Sequence, residues 1–329
     1  MNRNRRIFAL NIQRYAADVM NATTSATTGN NLSPEMKTFY DKNLIRLAEP
    51  YLVHDRFGQE KPIPRGNGKT IEFRRFSKLP KALTPLTEGV APDGQALNVT
   101  ALTATVQQYG GFVKVTDMLQ LTAIDPIITE ATELIGQQAG RTLDTITREV
   151  LVGGTNVAYA NGKTARSGLG AADVLTVKDI QKAVAALKAQ DAPMLDGGYY
   201  AAIIHPNVAY DLMRDTEWID WQKHTSPEHM YNGEIGRIAN VVFFESTEAK
   251  VFEGAGASSA DVYATLIIGK NAYGKTAITG GGLQTIIKSN EQAGGPLNQY
   301  ATVGWKATKT AERLIEEYMI RIESGCSLG

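Results

Sequence analysis

The chain has 329 residues, 43% hydrophobic and 21% charged, with Lys+Arg and Asp+Glu each totalling 34. That length suggests about two domains with an ample core, and the balanced charge excludes a global basic field for gripping nucleic acid. The single cysteine, Cys326, excludes an internal disulfide framework and a cysteine-rich zinc site; near the chain end it reads as an incidental surface thiol, and a reducing cytoplasm fits.

No apolar run approaches the ~18 residues of a membrane span. The opening MNRNRRIFALNIQRYAADV holds only Ile7 to Leu10 as a continuous apolar run, too short for a secretory core, although its Arg-rich, acid-poor character is shared with mitochondrial transit peptides. Residues 1–20 read as weakly helical, and ATTSATTGNN is a polar linker. Ser33-Pro34-Glu35 then opens a helix with Met36, Phe39, Tyr40, Leu44 and Leu47 inward and Pro50 at its end. Residues 1–60 together read as an arm.

From Lys61 to Gly111 the composition changes. KTIEFRRF and LNVTALTATVQ are strand-like, and Pro80, Pro85, Gly89, Pro92 and Gly94 lie between them. Ile71 and Phe73 share a face. Leu97, Val99 and Ala101 share another, but Leu102, Ala104 and Val106 switch phase, which predicts a bulge near Ala101-Leu102. A two-stranded ribbon is marginal in water, so this one must lie on another surface, of its own body or of a neighbouring copy.

FVKVT alternates as a half-buried strand. Ile127, Ala131, Ile135, Ala139, Leu143, Ile146 and Val150 then recur at steps of three and four, the stripe of one long helix. Asp125 and Pro126 suit its start, and Gly153-Gly154 predict a left-handed stop. At 1.5 Å per residue the rod is roughly 40 Å long. Thr176 with Asp179 predicts a capped start for VKDIQKAVAALKAQ. YYAAIIHP, VVFFE and YATLIIG read as strands, Asn207 to Asp215 as a short helix, and ERLIEEYMIRIES as a strand rather than a helix. The alternation over 176–290 describes a compact α/β or α+β unit.

Gly269 to Thr276 spells GxxxxGK[ST] after an apolar strand. A phosphate loop needs a helix to follow, whereas AITGGG cannot start one, so a strand-turn-strand is expected. His224 and His229 flank Glu228, but their spacing and Pro227 break the HExxH geometry. His205 and His54 have no evident catalytic partner. Trp218 and Trp221 read as loop anchors. Arg65, Lys69, Arg74, Arg75, Lys78 and Lys81 alternate with Glu72 and prolines, as on a solvated or subunit-contacting face. Nothing demands catalysis, a metal or a cofactor.

The order of FVKVTDMLQL, IITEATELIGQQAGRTLDTITREVLVGG, LTVKDIQKAVAALKAQ, AAIIHPNVAYDLMRD, GEIGRIANVVFFES, YATLIIGKNAYGKTAI and ERLIEEYMIRIES resembles the tailed-phage major capsid proteins of the Hong Kong 97 type, most closely the phage N4 branch. The resemblance covers residues 32–324 and implies an α+β fold. Its parts would be an N-terminal arm (1–60), an extended β-hairpin loop reaching across a neighbour (61–111) and a peripheral domain (112–176) with spine helix 126–152. An axial domain (177–296) and a return to the peripheral sheet plus tail (297–329) would follow. It implies a non-enzymatic shell subunit in the virion, made in the bacterial cytoplasm. The subunit would assemble with itself as pentamers and hexamers around double-stranded DNA, with scaffolding and portal partners and no membrane. Ile71, Phe73, Arg74, Arg75, Lys78, Leu86 and Glu88 are expected at subunit contacts. An encapsulin-like compartment shell and a P-loop nucleotide hydrolase are the alternatives.

Overall fold

The computed structural model describes residues 34–63, 69–76, 78–86, 88–89, 91, 94–122, 127–222, 234–278, 282–293 and 297–328. The features expected at residues 1–33, at Asp125-Pro126 and at His224–His229 lie outside them. In chain order the elements begin with α1 (Pro34–Ala48), β1 (Gln59–Lys61), β2 (Thr70–Phe76), β3 (Val99–Thr105), β4 (Gln107–Thr116), α2 (Asp117–Thr122) and α3 (Ile127–Val152). They continue with β5 (Val157–Tyr159), α4 (Val177–Ala189), β6 (Tyr200–Ile204), α5 (Pro206–Met213), α6 (Thr216–Gln222), β7 (Glu234–Ile238), β8 (Val241–Glu245), β9 (Val251–Phe252) and β10 (Val262–Ile268). The last are β11 (Tyr273–Thr276), β12 (Leu283–Lys288), α7 (Asn290–Ala293), β13 (Tyr300–Lys309), β14 (Ala311–Arg313) and β15 (Met319–Ser324).

The helix α3 joins two cores. Ile135, Ala139 and Leu143 pack with Leu44 and Ala48 of α1 against Leu283, Val303, Trp305 and Ala307 of the three-stranded sheet β12-β13-β4. Leu151 and Val152 at its far end pack instead on Ile203, Leu266, Ile268 and Met319. These belong to a seven-stranded sheet ordered β5-β15-β10-β6-β8-β7, with β9 on β10. The expected stripe therefore holds from Ala131 to Leu143 and then turns: Asp144, Thr147 and Leu151 are buried, while Ile146 and Val150 are only half-buried. Serving two sheets rotates the buried side of the helix.

Two glycines bring α1 close to α3. A Cβ on Gly136 would lie 2.8 Å from Leu47 Cβ, and one on Gly140 would lie 2.6 Å from the Ala48 carbonyl oxygen. One turn apart, they cut a notch for the end of α1. The far end of α3 also departs from expectation, because neither Gly153 nor Gly154 has a positive φ. Its free carbonyls are taken by distant arginines. Arg313 Nη1 donates to Val150 O at 2.8 Å, and Arg321 Nη1 donates to Gly154 O at 3.1 Å and to the Val152 carbonyl. A cation at a helix C-terminus also meets the negative end of its dipole.

The second face of the seven-stranded sheet is covered by α4 and α5, whose Ile180, Val184, Leu187, Val208 and Leu212 bury against Tyr200, Phe243, Ile267 and Ile322. The capped start of α4 is present: Asp179 N donates to Thr176 Oγ1 at 3.4 Å, and Thr176 Oγ1 donates to Asp179 Oδ2 at 2.7 Å. Trp218 is buried in this core, edge-on to Phe243.

Three expectations are corrected. The strand 319–324 does not rejoin the sheet beside the long helix. That place belongs to β13, whose ten residues pair with β4 from Tyr300↔Thr116 to Lys309↔Gln107, while β15 lies between β5 and β10. Cys326 is not a surface thiol but is buried among Leu175, Tyr263 and Ile322, because the chain after β15 stays on the α4 side. Nor is all of 1–60 an arm. Leu44, Ala48, His54 and Asp55 are buried, and β1 pairs in parallel with β11.

Candidate subunit-contact surface

The ribbon of β2 and β3 is built from one unbroken register, Thr70↔Thr105 to Phe76↔Val99, so the expected bulge is not there. The phase switch has another cause: β3 is apolar on both faces. Leu102 and Ala104 turn inward with Ile71 and Phe73, whereas Val99 and Ala101 turn outward with Phe76. The inner face docks on the subunit's own β14 end through Leu314. Phe73 lies so close to β11 that a Cβ on Gly274 would fall 2.3 Å from its ring. Lys61 caps this contact, its Nζ 5.2 Å from the Phe73 ring centre and donating to Glu72 O at 2.6 Å.

Of the seven residues expected at a subunit contact, Ile71 and Phe73 thus spend their apolar surface inside the chain. Arg74 is exposed and pairs with Glu72 at 3.0 Å, Arg75 is half-buried, and Leu86 and Glu88 are exposed. Lys78 reaches the end of α4, donating to Gln190 O at 3.2 Å and Asp191 Oδ2 at 3.1 Å. Beyond the anchored strands the apolar surface is open: Phe76, Leu79, Leu83, Leu86 and Leu97 are each at least half exposed. Scattered exposed leucines need no explanation, but a run of them on one appendage marks a contact surface.

A second open surface lies on the side of the three-stranded sheet away from α3. Gly110 and Gly304 flatten it, and Phe112, Ile286 and Tyr300 line a concavity of about 510 Å³ together with Lys114, Lys288 and Lys306. The Lys114 Nζ lies 5.2 Å from the Tyr300 ring centre and 5.9 Å from that of Phe112.

Beneath the ribbon, where the two cores of α3 meet, is a buried charged cluster that pairwise sequence reasoning missed. His54 donates from its backbone N–H to Asp144 Oδ1 at 2.7 Å, and its Nδ1 lies 2.7 Å from Asp144 Oδ2. Lys309 Nζ bridges both oxygens of Asp55, and Thr147 Oγ1 donates to Asp55 Oδ1 at 2.7 Å. Burial pulls the Lys309 ammonium below its ordinary range against the attraction of Asp55. Burial, reinforced by Asp55, pushes the Tyr273 phenol well above its own, and that hydroxyl donates to the His54 carbonyl. These partners are 90 and 254 residues apart, so no local pattern announces them.

The GxxxxGK[ST] match falls in this region as a strand, a turn and a strand. Thr276 ends β11, β12 is the next strand, and Lys275 lies 3.4 Å from Glu60 and 3.9 Å from Asp55. Its second glycine serves the Phe73 contact. His205 caps α5, accepting from Asn207 N at 3.2 Å. Among the described residues, no group of three His, Cys, Asp or Glu is placed to hold a metal ion, and no helix is long and apolar enough to cross a membrane.

A family model described as phage capsid protein matches residues 99–308. Curated proteins give no match. Among solved structures, the chain is similar to the capsid of Ralstonia phage GP4 at 17% identity and a TM-score of 0.66, covering 82% of this chain and 87% of that one. It is similar to the cyanophage Pam1 capsid asymmetric unit at 16% identity and a TM-score of 0.66, covering 85% and 92%. For the mature capsid of bacteriophage PhiM1 the values are 13% and 0.59, covering 82% and 86%. At such identities the likeness is one of α+β fold.

Proposed function

From the premise that this chain belongs to the phage capsid protein family, we propose that it is the major capsid subunit of a tailed bacteriophage, of the Hong Kong 97 type and the N4 branch. It is a structural protein that forms a shell with copies of itself. In this proposal the copies close as pentamers and hexamers around double-stranded DNA, with scaffolding and portal proteins as partners, after synthesis in the host cytoplasm. No catalytic role is assigned to any residue. Residues 61–111 are the loop that crosses a neighbour and α3 is the spine. The axial unit, expected over 177–296, is read here as α4 to β10 with β5 and β15, because β11 and β12 pair in other sheets.

One observation carries the proposal: the ribbon is seated on one face and leaves an apolar outer end and tip open, with Phe76, Leu79, Leu83, Leu86, Leu97 and Val99 exposed. Covering that surface on a neighbour is worth roughly 25 cal/mol per Å² of apolar area. Each contact is modest. Repeated around a closed symmetric array, such contacts gain effective concentration and need no single tight interface.

The test is electron microscopy of the purified protein and of a variant lacking Pro80 to Asp93. Closed particles are expected from the intact chain and a soluble, folded, shell-less body from the deletion. A lasting monomer at high concentration, or normal particles from the deletion, would refute the proposal. Packaged DNA separates a phage head from a compartment shell filled with protein cargo.

A further inference from the structure

We propose that Lys309 and Asp55 condense inside the folded subunit to an amide, releasing one water and tying the segment after α1 covalently to the strand β13. The bond lies within one copy of the chain and does not depend on the shell reading above.

Position carries the inference. Lys309 Nζ hydrogen-bonds both oxygens of Asp55, so it lies within roughly 3.5 Å of the carboxyl carbon between them, the separation of a near-attack pair. The fold brings the two together from 254 residues apart and buries them, with side chains 1% and 2% exposed. Groups held in this way react as if at roughly 10⁵–10⁸ M. In a site closed to bulk water, that advantage offsets the ordinary preference of an amine and an acid to stay separate.

The surroundings supply what each step needs. Burial pulls the Lys309 ammonium below its ordinary range against the attraction of Asp55, which favours moving one proton along the hydrogen bond from Nζ to Asp55 Oδ2. The ion pair becomes a neutral amine beside a neutral acid, and no charge has to leave the site. The amine lone pair then attacks the carboxyl carbon. A C–N bond forms, and the carbonyl electrons move onto Oδ1, to which Thr147 Oγ1 donates at 2.7 Å. A second proton passes from the nitrogen to the Oδ2 hydroxyl, the carbonyl re-forms, the C–Oδ2 bond breaks and water leaves. One ammonium and one carboxylate have become one secondary amide and one water, with nothing oxidised or reduced. Lys275 Nζ lies 3.9 Å from Oδ2. With Asp55 and Glu60 it lines a cavity of about 200 Å³, which receives the departing water. Until the bond closes, the site is the ion pair described above, and that open form is the one present in freshly folded chain.

Mass spectrometry of the intact chain, unfolded just before measurement, tests this. Folded protein incubated at neutral pH is expected to fall one water below its sequence mass, in a fraction that grows with time. Protease digestion should then yield one branched peptide joining the Asp55 and Lys309 segments. Lys309→Met should keep its full mass. The native chain incubated in urea, where the two side chains are apart, should keep its full mass as well, a comparison that needs no variant to fold. A folded native chain whose mass never changes on prolonged incubation overturns the proposal. So does a water loss that maps elsewhere in the chain or that persists in Lys309→Met.

Discussion

Changing Asp55→Ala takes away the one carboxylate that both Lys309 and Thr147 address. Side chains of the ion pair are only 1% and 2% exposed, so water cannot replace the lost partner. Breaking a buried pair by removing one member costs about 3–5 kcal/mol. A second route gives the same scale. The stranded lysine can escape by losing its proton, and discharging a group of ordinary value 10.5 at pH 7 costs at most about 5 kcal/mol. Thr147 is less affected, since its hydroxyl also reaches Leu143 O at 3.4 Å. The pair can instead be replaced by apolar groups of similar volume, Asp55→Leu with Lys309→Met, which is expected to stay within about 2 kcal/mol of the native chain. The assay is urea unfolding at concentrations where subunits are unassembled. The pH dependence is a further signature. A lysine neutral when folded but protonated when unfolded makes the unfolded state bind more protons, so stability of Asp55→Ala rises with pH from 7 toward 10.5 and the gap to the native chain narrows. A loss below about 1 kcal/mol, or a double variant as unstable as the single one, would contradict the assigned role of Asp55.

Three further outcomes follow from particular contacts. Gly140→Ala should destabilise by about 1–3 kcal/mol through the clash with Ala48 O, although alanine is the better helix former by about 1 kcal/mol; a raised melting temperature would show that α1 yields freely. Asp173 is held below its ordinary 3.8 by the Gly170 N–H and the Asn161 amide. Its contribution is full above that value and is lost as pH falls through the folded one, so Asp173→Asn should lower thermal stability at pH 6 and match the native chain in stronger acid. Lys275→Ala should leave ATP affinity undetectable in equilibrium dialysis, as in the native chain. Nucleotide binding by the native chain that this substitution abolishes would reinstate the phosphate loop.

What the sequence disclosed and what it hid divide along the range of the interaction. The buried stripe of α3 from Ala131 to Leu143, the Thr176–Asp179 cap, the apolar strands β6, β8 and β10 and the strand at 319–324 are written in spacing and short-range chemistry. Hidden features depend on partners far along the chain. His54 was without a partner until the fold brought Asp144 to it. Gly136 and Gly140 form the notch for α1, and nothing in their own stretch of sequence points to Leu47 and Ala48 as what fills it. Val99 and Leu102 suggested a bulge, because alternation alone cannot distinguish an irregular strand from one needing apolar cover on both sides. The open side of the ribbon was legible as a need for a partner; that Ile71 and Phe73 find theirs within the subunit, on Leu314, was not.

The position of β15 has a consequence for the timing of synthesis. Its six residues follow both of their neighbours in the chain, yet they fill the place between β5 and β10, and the same strand supplies Arg321 to the end of α3. A nascent chain not yet extended through β15 has that slot empty and the end of the long helix without its Arg321 contacts. Chains broken off before β15 therefore lack the strand that joins β5 to the rest of the seven-stranded sheet.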